Sequence, residues 1–147
     1  MSIEYINFDV TKVEQGVLLN GVNCQQQMGS GVALAYLRKW PIVREQFIVT
    51  KPILGETDMV TIIEQELYVA NCYTQEFFGG DGRRYADLEA VKKSVDSACK
   101  FANSMGLDVY TPQIGCGLGG LDWDTEVAPI MESVSKEHKV NLFVCLI

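Results

Sequence analysis

The run Pro112-Gln113-Ile114-Gly115-Cys116-Gly117-Leu118-Gly119-Gly120-Leu121-Asp122-Trp123 joins an apparent strand, Asp108–Thr111, to an apparent helix, Asp124–Lys136. Gly115, Gly117, Gly119 and Gly120 have no Cβ, so the backbone can take positive φ there and a ligand can lie directly against peptide N–H groups. A second loop, Met28-Gly29-Ser30-Gly31-Val32, likewise leaves a strand and opens onto a helix-like stretch, Val32–Lys39. Helix N-termini carry partial positive charge and unpaired N–H groups. Two such loops facing each other would hold the two halves of a pyrophosphate, and a nucleoside diphosphate is the expected class of ligand.

Strands that deliver glycine loops to helices constrain the fold to the α/β class, with ligands gathered at one edge of the sheet. The remaining pattern agrees. Ile3–Phe8 reads as a short strand and Gly16–Leu19 as a second one feeding the first loop. Pro41, suited to a first-turn position, opens a helix running to about Val49. Met59–Ile63 and Leu67–Cys72, on either side of Glu64-Gln65-Glu66, read as a hairpin. Leu88, Val91, Val95, Ala98, Cys99 and Ala102 recur at helical spacing, and Gly106 ends that helix. Asp124 is the expected N-cap of the next helix, with Pro129 distorting its start, and Val140–Ile147 is the final strand. A mixed central sheet between helical layers, α/β/α, is the architecture expected, as one domain over residues 1–147.

Composition narrows the function classes. Twelve Lys and Arg against nineteen Asp and Glu leave a net charge of −7, which disfavours bulk attraction to nucleic-acid backbones. Five cysteines, Cys24, Cys72, Cys99, Cys116 and Cys145, are scattered without metal-ligand spacing and fit reduced thiols in a cytoplasmic protein. Neither a signal peptide nor a membrane-spanning run is expected, so no membrane partner is, and no metal or cofactor either.

Several side chains suit nucleotide chemistry, each with a plainer alternative. Asp9, after the first strand, can accept from an exocyclic amine such as adenine N6 while the Val10 amide donates to the ring; Asp9 or Thr11 would otherwise cap a turn. Asn20 and Asn23 can donate and accept at once, as a pair of ribose hydroxyls requires, or form Asx turns. Asp122 can orient or deprotonate a water beside a phosphate or anomeric carbon, or else cap a helix. Cys116 lies inside the second loop, but the lone histidine, His138, falls at a helix end suited to the dipole, which disfavours a Cys-His dyad. Tyr73, Phe77, Phe78 and Tyr85 offer stacking surfaces or core packing, and Arg83 and Arg84 an outer-phosphate contact or solvated charge. Gly79–Arg84 reads as a mobile loop.

Taken in order, these segments resemble a macro domain, the ADP-ribose-binding α/β/α module, over essentially the whole chain. Phe8-Asp9-Val10-Thr11 is similar to the family's Gly-Asp-Ile-Thr adenine motif, with Phe8 where glycine is usual. Asn20-Gly21-Val22-Asn23 resembles Asn-Ala-Ala-Asn, which makes Asn23 the distal-ribose asparagine. Gly29-Ser30-Gly31-Val32-Ala33 resembles the first phosphate loop, and Ile114-Gly115-Cys116-Gly117-Leu118-Gly119, preceded by Gln113, the second. The likeness is strongest to the branch holding terminal ADP-ribose glycohydrolases and ADP-ribose-1''-phosphate phosphatases. The glycohydrolase lysine has no counterpart, since no lysine occurs between Lys51 and Lys92. Gly119 stands where animal members of the branch place an aspartate, and Asn20 lies in the region where some phosphatases carry a histidine. Asn71-Cys72-Tyr73-Thr74-Gln75 looks more like the phosphatase side.

The resemblance implies binding of ADP-ribose through Asp9, Val10, Asn20, Asn23, Gly29, Ser30, Gly31, Val32 and Gln113 to Gly119. It favours hydrolysis of ADP-ribose-1''-phosphate to ADP-ribose and phosphate, with Asn23 fixing the ribose and Asp122 positioning water. The alternatives are a non-catalytic ADP-ribose reader, whose partner is ADP-ribosylated protein or a free ADP-ribose-like signal, and an ADP-ribosyl hydrolase acting on modified macromolecules.

Overall fold

The computed structural model describes residues 3–29, 31–79, 81, 83–117 and 119–146. Its elements in chain order are β1 Glu4–Ile6, a 3-10 turn Val10–Lys12, β2 Gly16–Asn23, α1 Gly31–Lys39, α2 Ile42–Val49, β3 Thr57–Ile63, β4 Leu67–Gln75, α3 Leu88–Met105, β5 Val109–Thr111, a π-helical turn Trp123–Val127, α4 Ala128–His138 and β6 Leu142–Cys145. The strands form one mixed sheet in the order β1-β6-β5-β2-β4-β3. All neighbours run parallel except β3, which pairs antiparallel with β4 in the hairpin read from the sequence.

Alternation along the central strands assigns the two faces. In β2, Val17 and Leu19 pack with Val91, Val95 and Ala98 of α3 and Met131 and Val134 of α4. Leu18 and Val22 point the other way, toward Tyr36 of α1 and Val43 and Phe47 of α2. A strand covered on both faces needs apolar side chains at successive positions, which Val17-Leu18-Leu19 provides, all fully buried. Removing one such leucine from water is worth roughly 1.5–3 kcal/mol. The result is the expected α/β/α sandwich. No helix among the described residues is long and apolar enough to cross a membrane.

Several boundaries differ from expectation. β2 continues through Asn20–Asn23 and β4 through Gln75, because each satisfies the other's backbone: Asn20 pairs with Asn71 and Asn23 with Gln75. β1 and β6 are shorter than read, and the end of the expected last strand, Ile147, lies outside the described residues. The segment expected to be a single helix from Asp124 enters through a π-helical turn capped by Asp122, whose carboxylate accepts from Thr125 N at 2.9 Å. Pro129 lacks the N–H that a regular helix would direct to Thr125, and the turn widens instead, with Ala128 N donating to Trp123 O.

Connections out of β2 and β5 set the position of the site. From β2 the chain passes over one face, through α1 and α2, to the β3–β4 edge; from β5 it passes over the other face, through α4, to β6. These adjacent strands therefore release their chains in opposite directions, which opens a crevice beyond their carboxyl ends.

Candidate functional site

A cavity of about 640 Å³ occupies that crevice. Its walls are the ends of β2 and β4, the turn after β5 and the first turn of α1. Of the residues singled out in the sequence, it gathers Asn20, Asn23, Gly29, Gly31, Val32, Gln113, Ile114, Gly115, Gly117 and Gly119. Gly21, Gln27, Met28, Thr74, Gln75 and Phe78 join them. Gly21 and Met28 belong to the motifs read from the sequence, Thr74 and Gln75 to the Asn71–Gln75 segment and Phe78 to the aromatic cluster, but only the strand pairing that brings β4 beside β2 places Thr74 and Gln75 in this wall, and Gln27 carried no signal. Ser30 and Leu118 lie outside the described residues, as do Gly80 and Gly82 of the loop read as mobile.

None of the described lining residues is charged. Attraction for an anion instead comes from backbone. Among the described residues, no acceptor faces the amides of Gly115, Cys116, Gly117 or Gly119. The first-turn amides of α1 have no intrahelical acceptor by geometry, and that turn, begun by Gly31 at φ +61°, lines the cavity through Gly31, Val32 and Ala33. The second loop is held from behind. Gly115, at φ +78°, accepts from Leu121 N at 2.9 Å, and Gly119 O accepts from both Tyr85 N and Ala86 N at 2.9 Å. A Cβ on Gly119 would stand 2.5 Å from Gly115 O, so the loop closes only with glycine there.

The two asparagines are used differently. Asn20 is 1% exposed and its Nδ2 donates to Asn71 Oδ1 at 2.9 Å. Asn23 lines the cavity but spends its amide on its own loop: Oδ1 accepts from Gln25 N at 2.9 Å and Gln27 N at 3.3 Å, and Nδ2 donates to Gln27 O at 2.9 Å. That is the Asx-turn alternative, and it shapes the turn that carries Gln27 and Met28 to the rim.

Asp9, Val10, Cys116 and Asp122 are not part of the cavity lining. Asp9 caps the 3-10 turn, accepting from Thr11 N at 3.0 Å and Thr11 Oγ1 at 2.7 Å, and these bonds lower its pKa. Val10 is buried in the α1–α2 core. Asp122 is bound to Thr125, Oγ1 as well as N, which lowers its pKa and directs its carboxylate to the helix rather than to a water in the cavity. Burial, reinforced by Asp122, Glu126 and Asp124, pushes the Cys116 thiol up to about 11, the wrong direction for a nucleophile.

The outer aromatics and arginines divide similarly. Tyr73 is buried against Phe47 with ring centroids 6.0 Å apart, while Phe78 reaches the cavity. Arg83 Nε pairs with Asp81 at 2.8 Å, and Arg84 pairs with Glu126, so both guanidiniums are engaged outside the lining. Among the described residues, the one group of side chains close enough to share a cation is Asp96, Glu137 and His138, at the α3–α4 seam and separate from the cavity. There His138 Nε2 lies 2.6 Å from Asp96 Oδ1.

Fold and cavity together define an α/β/α protein that presents an uncharged, amide-lined pocket at the switch point of a mixed sheet. No family model matches the chain, and neither does any curated protein. Solved structures do match. A protein of unknown function from Bacteroides thetaiotaomicron is 28% identical over 99% of this chain and 98% of that one, with a TM-score of 0.80. A macrodomain protein from Streptomyces coelicolor is 22% identical over 99% of both chains, TM-score 0.79. A Trypanosoma brucei macrodomain in complex with ADP-ribose is 18% identical over 98% of this chain and 63% of that one, TM-score 0.73. The chain has the macrodomain fold.

Proposed function

We propose that this protein binds ADP-ribose or a close derivative in the cavity between the two glycine loops. The observation that carries the reading is a pocket with no charged side chain among its described lining residues, lined from two sides by backbone whose amides have no backbone acceptor: Gly31–Ala33 at the start of α1, and Gly115, Gly117 and Gly119 after β5. Two sets of amides suit the two phosphates of a diphosphate, and polar side chains at the β2 and β4 ends suit a sugar. The ADP-ribose bound by the similar Trypanosoma brucei macrodomain has this chemistry.

Release of phosphate from ADP-ribose-1''-phosphate is the second reading, supported by the amides of Gly115 and Gly117, which have no acceptor among the described residues and can take the charge of an added phosphate. With Asp122 bonded to Thr125, that reading has no carboxylate to activate water, and turnover would be slow. A reader of ADP-ribosylated protein needs only the binding.

Titration calorimetry with ADP-ribose, ADP and AMP tests the proposal. ADP-ribose is expected to bind at least about tenfold tighter than AMP; equal affinities would sink it. Phosphate measured after incubation with ADP-ribose-1''-phosphate then separates hydrolase from reader.

A further inference from the structure

Beneath the cavity lies a pair of amides that neither glycine loop explains. Asn20 and Asn71 are directly opposite in the parallel β2–β4 pairing, 1% and 0% exposed. On β4, Asn71 shares a face with Val69 and Tyr73, both in the α1–α2 core, so an amide occupies a position whose neighbours are apolar. Asn20 Nδ2 donates to Asn71 Oδ1 at 2.9 Å, and Asn71 Nδ2 is left sealed from solvent with no acceptor among the described residues. Asn20 Oδ1 has no donor among those residues either, yet it is not sealed: Asn20 lines the cavity. A buried donor without an acceptor weakens a fold, whereas an apolar side chain of similar volume does not. Leucine at 71 would remove that orphaned donor but leave Asn20 Nδ2 without its acceptor, so the bond that Asn71 makes serves to hold the Asn20 amide while its own nitrogen is left unused.

We propose that Asn71 is a positioning residue of the binding site: it holds the Asn20 amide by its nitrogen, so that Oδ1 faces the cavity and the site selects a ligand hydroxyl at that point. A carbonyl oxygen accepts and cannot donate, so a phosphate oxygen is disfavoured there. The cavity is thereby divided into a hydroxyl-reading end at β2 and an anion-holding end at the loops. An Asn20 free to rotate would offer nitrogen or oxygen and discriminate less. The inference rests on the ADP-ribose reading, in which the hydroxyls are those of the distal ribose.

The test compares Asn71→Leu with the unaltered protein by calorimetry with ADP-ribose and with ADP, by thermal unfolding, and by NMR exchange of the Asn20 side-chain amide. The variant is expected to lose about tenfold in ADP-ribose affinity. It should keep its ADP affinity, exchange the Asn20 amide protons faster, and unfold earlier by no more than the loss of one buried hydrogen bond. Equal loss for both ligands, or no loss, would overturn the proposal. Should the unaltered protein bind ADP-ribose no better than ADP, the ADP-ribose reading fails, and amide exchange decides the positioning role alone: protection lost in the variant upholds it, unchanged exchange overturns it. If Asn71→Leu does not fold, Asn71→Asp places an accepting oxygen at the same point, and its ADP-ribose preference is expected to persist; loss of that preference overturns the proposal.

Discussion

Gly119 and Gly117 sit two positions apart in one loop, yet they answer to different constraints. A methyl on Gly119 meets Gly115 O at 2.5 Å and Ala86 Cβ at 3.0 Å, while a methyl on Gly117 meets nothing within 4 Å. Gly119→Ala is therefore expected to strain the loop by about 1–3 kcal/mol and to lower both thermal stability and ADP-ribose affinity. Gly117→Ala should leave the unfolding temperature nearly unchanged, and thermal melts of the two variants check the contrast. Both glycines were legible as loop residues, but their difference was not, because it depends on how far the chain turns back after Gly115. Asn23 was legible as a polar residue of the site, whereas the three bonds that tie it to Gln25 and Gln27 arise from a turn with Gln26 at φ +58°. Asn71 was legible only as the first residue of the Asn71–Gln75 segment, and its pairing with Asn20 depends on strand register.

At the scale of elements, two short turns each depend on an aspartate. Asp9 begins the 3-10 turn and Asp122 the π-helical turn, and each accepts both the backbone amide and the hydroxyl of a threonine. Their folded pKa values lie below the ordinary aspartate value. Lowered folded pKa values mean that the unfolded chain binds protons first, so both contributions are present above about pH 4 and lost as pH falls through the depressed values. Acid unfolding followed by circular dichroism should show Asp9→Asn and Asp122→Asn variants less sensitive to pH in that window. Helix α3 was read nearly whole from spacing, with Gly106 at φ +69° closing it as expected. The entry to α4 was not, since Asp122 and Asp124 are equally good caps by residue type. Pro129 then decided between them through the bond it cannot make.

For the whole molecule, alternation of strands and glycine loops was enough to reach an α/β/α sheet, and the hairpin between Met59 and Cys72 supplied its antiparallel edge. What stayed hidden was the cavity's third wall, because Thr74 and Gln75 come beside Asn20–Asn23 only through the β2–β4 pairing across about fifty residues of sequence, and Phe78 follows β4 into the lining. The same burial that builds both cores governs the thiols. All five cysteines are free; burial pushes Cys72 and Cys99 to about 12 and Cys116 and Cys145 to about 11, and raises Cys24 as well. Alkylation at neutral pH should be slow in the native protein, led by the half-buried Cys24 and Cys116, and should reach five groups rapidly in denaturant. Mass spectrometry of the labelled chain checks this. Strand β2, meanwhile, joins β4 on one side and β5 on the other, with Val17 opposite both Tyr68 and Val109. The β3–β4 hairpin closes a short loop and can form early, but the β2–β5 seam must wait until most of the chain has been gathered. Because the cavity straddles that seam, a ligand has nothing to grip in a half-assembled chain, and binding becomes a readout of completed folding.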